Sequence, residues 1–188
     1  MRSAIPILTV LLCGAGGAAW HGPEQVALKF RKMLNENNWK GVVSLISEES
    51  LAEVKQAYSF LSEIRDSSLR SRTLKSILGR DISAAGMEKM TDEEFTLTVL
   101  RSGYGKRQRA GERRAGDFSV IGTVKEGEDL AHVVGRSSFT FDGSGFEKIE
   151  VLSFRRAGKE WKVILSDDIR YSASLAKKIY HRRIERLR

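Results

Sequence analysis

Residues 118–165, FSVIGTVKEGEDLAHVVGRSSFTFDGSGFEKIEVLSFRRAGKEWKVIL, decide the fold. Apolar and polar residues alternate along this stretch, and turn-forming residues interrupt the alternation three times. A period of two is the pattern of a strand with one buried face. Phe118–Val124 is the first predicted strand, and Lys125–Glu128 turns the chain. Leu130–Phe141 is a long second strand, closed by Asp142, Gly143, Ser144 and Gly145. Glu147–Arg155 is the third strand. Ala157 and Gly158 turn the chain into a fourth, Trp161–Leu165. Connections this short place each strand antiparallel beside its predecessor, so the four form a meander.

Alternation also assigns the faces. In the second strand Ala131, Val133, Gly135, Ser137, Phe139 and Phe141 share one side; Leu130, His132, Val134, Arg136 and Thr140 share the other. The first set is the more apolar and is expected to face the core. His132 and Arg136 are then expected on the outer face.

Before the strands the period changes to that of a helix. Pro23 suits a first helical turn, and Val26, Ala27, Phe30, Met33 and Leu34 make one apolar stripe. Asn35–Asn38 ends it, because asparagine side chains compete for backbone partners. Trp39, Val42, Val43 and Ile46 form a second, two-turn helix. A third is predicted from Ser50, with Glu53 completing a capping box. Asp66, Ser67 and Ser68 interrupt it, and a shorter helix carrying Leu74, Ile77 and Leu78 stops at Gly79. Thr91 and Glu94 make a further capping box, whereas Phe95, Leu97 and Val99 alternate like a strand. Helix is the expectation for 91–104, followed by an exposed, mobile glycine- and arginine-rich loop. Ile169–Leu187 carries a short, basic amphipathic helix with Leu175, Ile179 and Ile184. The expected class is α+β: N-terminal helices packed on one curved antiparallel four-stranded sheet.

The chain begins as an export leader does. Arg2 is a positive start, Ile5–Leu12 is apolar but too short to span a bilayer, and small residues run from Gly14 to Ala19. Cleavage after Ala19 divides the chain into a leader, 1–19, and one domain, 20–188. The expected location is periplasmic or secreted. Cys13 stands where a bacterial lipoprotein carries its acylated cysteine. Leu12 stands where that pattern needs a small residue, so lipid anchoring is disfavoured. The remaining domain has no cysteine and uses no disulfide.

The formal net charge is +8. One concentration is Arg101, Lys106, Arg107, Arg109, Arg113 and Arg114, with Glu112 among them. The other is Lys177, Lys178, Arg182, Arg183, Arg186 and Arg188. Such runs attract anionic lipid, acidic glycan or phosphate, and also serve simply as solvated faces. Nucleic acid is disfavoured, because aromatic residues are not interleaved with the cations as base-stacking platforms.

The segment GPEQVALKFRKMLNENNWKGVVSLISEESL, with the Asn37-Asn38-Trp39 break and the later strands FSVIGTVKEGEDLAHVVGRSSF and KIEVLSFRRAGKEWKVIL, resembles small exported bacterial members of the NTF2-like superfamily (cystatin-like or SnoaL-like cones) over roughly residues 22–170. The resemblance implies helices closing over a curved sheet to form a cone. Enzymes of that superfamily keep an acid or base inside it. Here the inward strand positions carry aliphatics, phenylalanines and serines.

No catalytic residues are assigned. The candidate ligand-binding residues are His132, Arg136, Glu150 and Tyr58. Glu150 is placed to pair with His132 or Arg136 across the sheet, and Tyr58 to line the cone mouth with Tyr104 or, on its apolar stripe, to lie in the core. Three scattered histidines, His21, His132 and His181, make a metal site unexpected, and no cofactor motif is present. The leading expectation is an exported non-enzymatic domain that binds a small apolar ligand or a protein. A homodimer through the outer sheet face, where Leu130, Val134 and Ile164 would otherwise be exposed, fits that expectation. The alternatives are a lyase, isomerase or hydrolase with its pocket in the cone, and an envelope protein held on anionic lipid or glycan by Arg101–Arg114 and the C-terminal tail.

Overall fold

A computed structural model describes residues 22–109, 114–141, 144–165 and 167–185; within 104–115, at 141, and at 167–170, 172, 181 and 183–185 it describes the backbone alone. The leader, Cys13, His21 and the Asp142-Gly143 turn lie outside the described residues. Six helices precede a four-stranded antiparallel sheet, and a seventh follows it. The α+β class read from the sequence is the one observed.

Helix α1, Pro23–Asn35, buries Val26, Ala27, Phe30 and Leu34. Asn37 takes a positive φ of 57° directly after it, a conformation asparagine tolerates better than most residues. Asn38 then caps α2, Trp39–Ser44. The third helix starts earlier than Ser50. Its N-cap is Ser47, whose Oγ accepts from the Ser50 N–H, and α3 runs Glu48–Ala57. Ser50 is buried inside it, and its Oγ accepts from the Leu165 N–H at 3.1 Å. Asp66 opens a helix as its N-cap, so the predicted interruption and shorter helix resolve into α4, Ser67–Leu78, closed by Gly79 in the left-handed region. The short α5, Ala84–Lys89, is a further element with no counterpart in the sequence reading; its N-cap is Ser83.

Residues 92–109 form α6, Asp92–Arg109, so the capping box overrides the strand-like alternation. The box is reciprocal: the Thr91 N–H donates to Glu94 at 3.0 Å and the Glu94 N–H to Thr91 Oγ1 at 3.1 Å. The predicted loop after Tyr104 is helical as far as Arg109. Lys106, Arg107, Gln108 and Arg109 are good helix formers, and the cations suit the negative end of the helix dipole. Residues 110–113 lie outside the described residues.

The strands are β1 (Arg114–Glu126), β2 (Leu130–Phe141), β3 (Ser144–Ala157) and β4 (Glu160–Ile164), adjacent in chain order. β1 and β3 extend beyond their predicted ends, because pairing with the long β2 satisfies backbone groups that the local pattern leaves open. The register sets Gly135 opposite both Val120 and Glu150, and Val133 opposite Thr123 and Leu152. Irregularities near Ala115 and between Val120 and Gly122 shift the alternation in β1. The free edge of β4 is covered by residues 45–47: the Val163 N–H donates to Leu45 O at 2.7 Å, and the Ser47 N–H to Val163 O at 2.9 Å.

Two apolar clusters result. One joins α1 and α2 to the sheet through Phe30, Val42, Val133, Phe154 and Val163. The other lies among the helices, around Leu61, Ile64, Leu74 and Phe95, and takes Ala173 from α7 (Asp167–Glu185). Leu165 packs against both.

Candidate functional site

The helix-covered side of the sheet carries one polar cluster. Alternation puts Glu150 on this side, because its cross-strand partner is Gly135. Its expected pairing with His132 or Arg136 does not occur, since those two project from the opposite face. Glu150 meets α1 instead. Arg31 Nη2 lies 3.1 Å from Glu150 Oε1 and donates to Ser137 Oγ at 2.9 Å. The Ser137 hydroxyl in turn donates to Glu150 Oε1. Lys148 Nζ is 2.9 Å from Glu150 Oε2. The Arg31 guanidinium also sits over the Phe118 ring, 5.4 Å from its centroid, and Asn35 ties the end of α1 to Gly116 O at 3.1 Å.

Only 13% of the Glu150 side chain and 17% of that of Arg31 are exposed. Burial alone would raise the Glu150 carboxyl. The Ser137 hydroxyl, Lys148 and Arg31 outweigh it and hold the group below its ordinary value. A carboxylate whose two oxygens are already occupied by a hydroxyl and two cations is a poor general base. The cluster is suited to fixing α1 across β1, β2 and β3.

Neither Arg31 nor Lys148 was among the residues singled out from the sequence. A signal for Arg31 existed: it lies four residues after Ala27 and three before Leu34, on the edge of the apolar stripe. Ser137 sits among core positions in the same way.

The outer face carries a different set. His132 Nδ1 is 2.9 Å from Ser153 Oγ, its cross-strand neighbour, and Nε2 is 3.4 Å from Glu126. Nε2 makes no hydrogen bond with proper geometry. Hydroxyl, imidazole and carboxylate thus stand in a row. The row lies on the open outer face of the sheet, across β1, β2 and β3. Arg136 lies 3.7 Å from Glu147, both exposed.

Around these residues the face is apolar. Ile121, Val124, Ile149 and Val151 are each 54–57% exposed. Val134 lies between Gly122 and Val151 in the register, and Ser153 opposite Ile164. A Cβ at Gly122 would meet no atom within 4 Å, so the surface is open above it. Leu130, Val134 and Ile164, the three residues expected to be exposed, are partly covered; the most exposed apolar side chains of this face come from β1 and β3.

Tyr58 lies in the helical core, its ring 5.8 Å from Phe95 and 6.3 Å from Phe60. Burial pushes its hydroxyl pKa up. The side chains of Tyr104 and His181 lie outside the described residues. An open cleft of about 330 Å³ lies between α3, α5 and α6, with Met87 and Phe95 among its lining and the Lys55–Asp92 pair, 3.4 Å apart, at its edge. A second, of about 390 Å³, adjoins α4 and residues 81–84. Neither lies between helices and sheet, where Phe30, Val133, Phe154 and Val163 fill the space. Among the described residues no group of three or more potential ligands stands ready for a metal ion, and no helix is long and apolar enough to cross a membrane.

No protein-family model matches the chain, and no curated protein matches its sequence. Among solved structures it is similar to a SEC-C motif containing protein from Rhodopseudomonas palustris, at 11% identity over 79% of each chain with a TM-score of 0.44. A likeness so remote carries no functional argument. The NTF2-like resemblance is corrected by these findings: no family model supports it, and the solved structure named above is described as a SEC-C motif protein, not an NTF2-like one.

Proposed function

We propose that this protein is a non-enzymatic interaction module whose working surface is the outer face of β1, β2 and β3. The observation that supports it is the contiguous apolar surface of Ile121, Val124, Ile149 and Val151, more than half exposed. An apolar patch of this kind, rimmed by polar residues, is characteristic of association sites. Export, suggested by Arg2 and the Ile5–Leu12 segment, is part of the same proposal.

The occupant proposed is a second copy of the chain. Both charge signs stand on this face, as Arg136 with Glu147, and Glu126 lies beside His132. A two-fold interface needs a self-complementary surface of that kind. Strands rising ~3.3 Å per residue and spaced ~4.8 Å give this face roughly 600 Å², near the ~800 Å² that each partner contributes to a standard interface. Two such faces pack about 10 Å apart as an aligned sandwich.

Sedimentation across a concentration series tests the proposal. The chain should sediment as a dimer and Val151→Asp as a monomer. A chain that stays monomeric at high concentration would remove the second copy as occupant. The small-ligand reading has the cleft beside Met87 and Phe95 as its support, and a dimer that binds no apolar probe dye would leave that cleft without a role.

A further inference from the structure

Helix α7 has two apolar faces, and among the described residues only one is packed. Ala173, Ala176 and Tyr180 pack on the helical core, with Tyr180 6.3 Å from Phe60. On the other side Tyr171, Leu175 and Ile179 recur at every fourth residue and are 44–69% exposed. At 1.5 Å rise per residue they form a single row about 12 Å long. Exposed Lys178 and Arg182 flank the row, whereas Lys177, two residues from both Leu175 and Ile179, projects from the other side of the helix. From residue 169 to 184 the sequence has no acid and five cations, Arg170, Lys177, Lys178, Arg182 and Arg183.

The geometry points to an anionic lipid surface as the occupant of this row. A helix lying in a bilayer interface needs a narrow apolar stripe, an aromatic with a polar tip and long basic side chains beside it. Lysine and arginine stems cover apolar surface while their heads reach the phosphates. Charge separates this face from the outer sheet face. The sheet face carries both signs and suits a second copy; α7 carries only cations from residue 169 to 184, between Asp167 and Asp168 at one end and Glu185 at the other, and suits a surface of the opposite sign. The two surfaces are also apart, because α7 packs against α3 rather than the sheet, so this inference stands whether or not the sheet face dimerises. Three apolar side chains or a few cations alone hold a protein weakly at a membrane, and the two together hold it.

The test uses the full chain with vesicles of phosphatidylcholine, and of phosphatidylcholine with one part in four phosphatidylglycerol. Cosedimentation should be strong with the anionic vesicles, weak with the neutral ones, and should fall as salt rises. Leu175→Ser with Ile179→Ser should weaken binding by about tenfold or more, and Lys178→Glu with Arg182→Glu likewise. Far-UV circular dichroism should stay unchanged, since all four side chains are exposed. In Tyr171→Trp, the added tryptophan emission should shift to the blue on anionic vesicles. Equal binding to neutral vesicles, no binding, or full binding by the Leu175/Ile179 variant overturns the inference. So does a Leu175/Ile179 variant that changes oligomeric state while its vesicle binding stays intact, which would assign the row to a protein contact.

Discussion

Arg31 on the first helix and Glu150 on the third strand, far apart in sequence, meet at 3.1 Å beneath the helix layer, and Ser137 joins them by accepting from one and donating to the other. The contact fixes how α1 crosses the sheet. Breaking one side of a buried ion pair leaves the other uncompensated, at a cost of about 3 kcal/mol. Glu150→Gln should therefore lower the unfolding free energy by that order. Arg31→Met combined with Glu150→Gln should cost less than the two single changes added together, as a denaturant-melt mutant cycle would show.

The same carboxyl makes stability depend on acid. Its value is lower in the folded chain than in the unfolded one. The stability it contributes is present above the ordinary glutamate range, about 4–4.5, and is lost as pH falls through the lowered folded value. Urea melts between about pH 5 and pH 3 should show a steeper loss for the native chain than for Glu150→Gln.

Gly135 is required by Phe118. A Cβ at this position would fall well inside contact distance of the Phe118 ring edge, and 3.1 Å from Ser119 O. The ring cannot move freely, because the Arg31 guanidinium lies over it. Gly135→Ala should destabilise the fold by about 1–3 kcal/mol. Replacing Phe118 with Leu in the same chain should restore part of that loss, which thermal melts would detect.

The reciprocal cap at Thr91 holds the start of α6. Thr91→Ala should cost about 1 kcal/mol and lower the melting temperature by about 3 °C in a chain of this length. Thr91→Ser, which keeps the oxygen, should lower it less.

The two faces of the sheet should respond oppositely to charge. Val133 is fully buried, whereas Val151 is more than half exposed. Val133→Asp buries an unpaired carboxylate and should abolish folding. Val151→Asp should leave the circular dichroism spectrum intact and, on the function proposed above, shift sedimentation from dimer to monomer.

The sequence by itself determined most of the elements, α5 excepted, and which face of the long strand meets the core. The alternation of Ala131, Val133, Gly135 and Ser137 specified the buried face of β2, because the side-chain period of a strand is fixed by backbone geometry. Turns of a few residues specified the meander, and Thr91 with Glu94 specified a helix start, because each is a local device whose parts lie within a few residues. Local signals were weaker where competing devices sat close together. Ser47 rather than Ser50 caps α3, and Asp66 opens a helix, because more than one nearby side chain can serve as a cap.

Only the tertiary structure decided the partners of charged groups. Glu150 faces Arg31 rather than His132 because the pairing register sets it opposite Gly135, and a shift of one residue would have reversed its side. The packing of α1 on the sheet then brings Arg31 within reach of it. Packing also decided that Phe30, Val133, Phe154 and Val163 meet beneath the helices and that exposed apolar side chains gather on the outer face of the sheet and along α7. Burial is a sum over contacts distant in sequence, and no local pattern contains that sum.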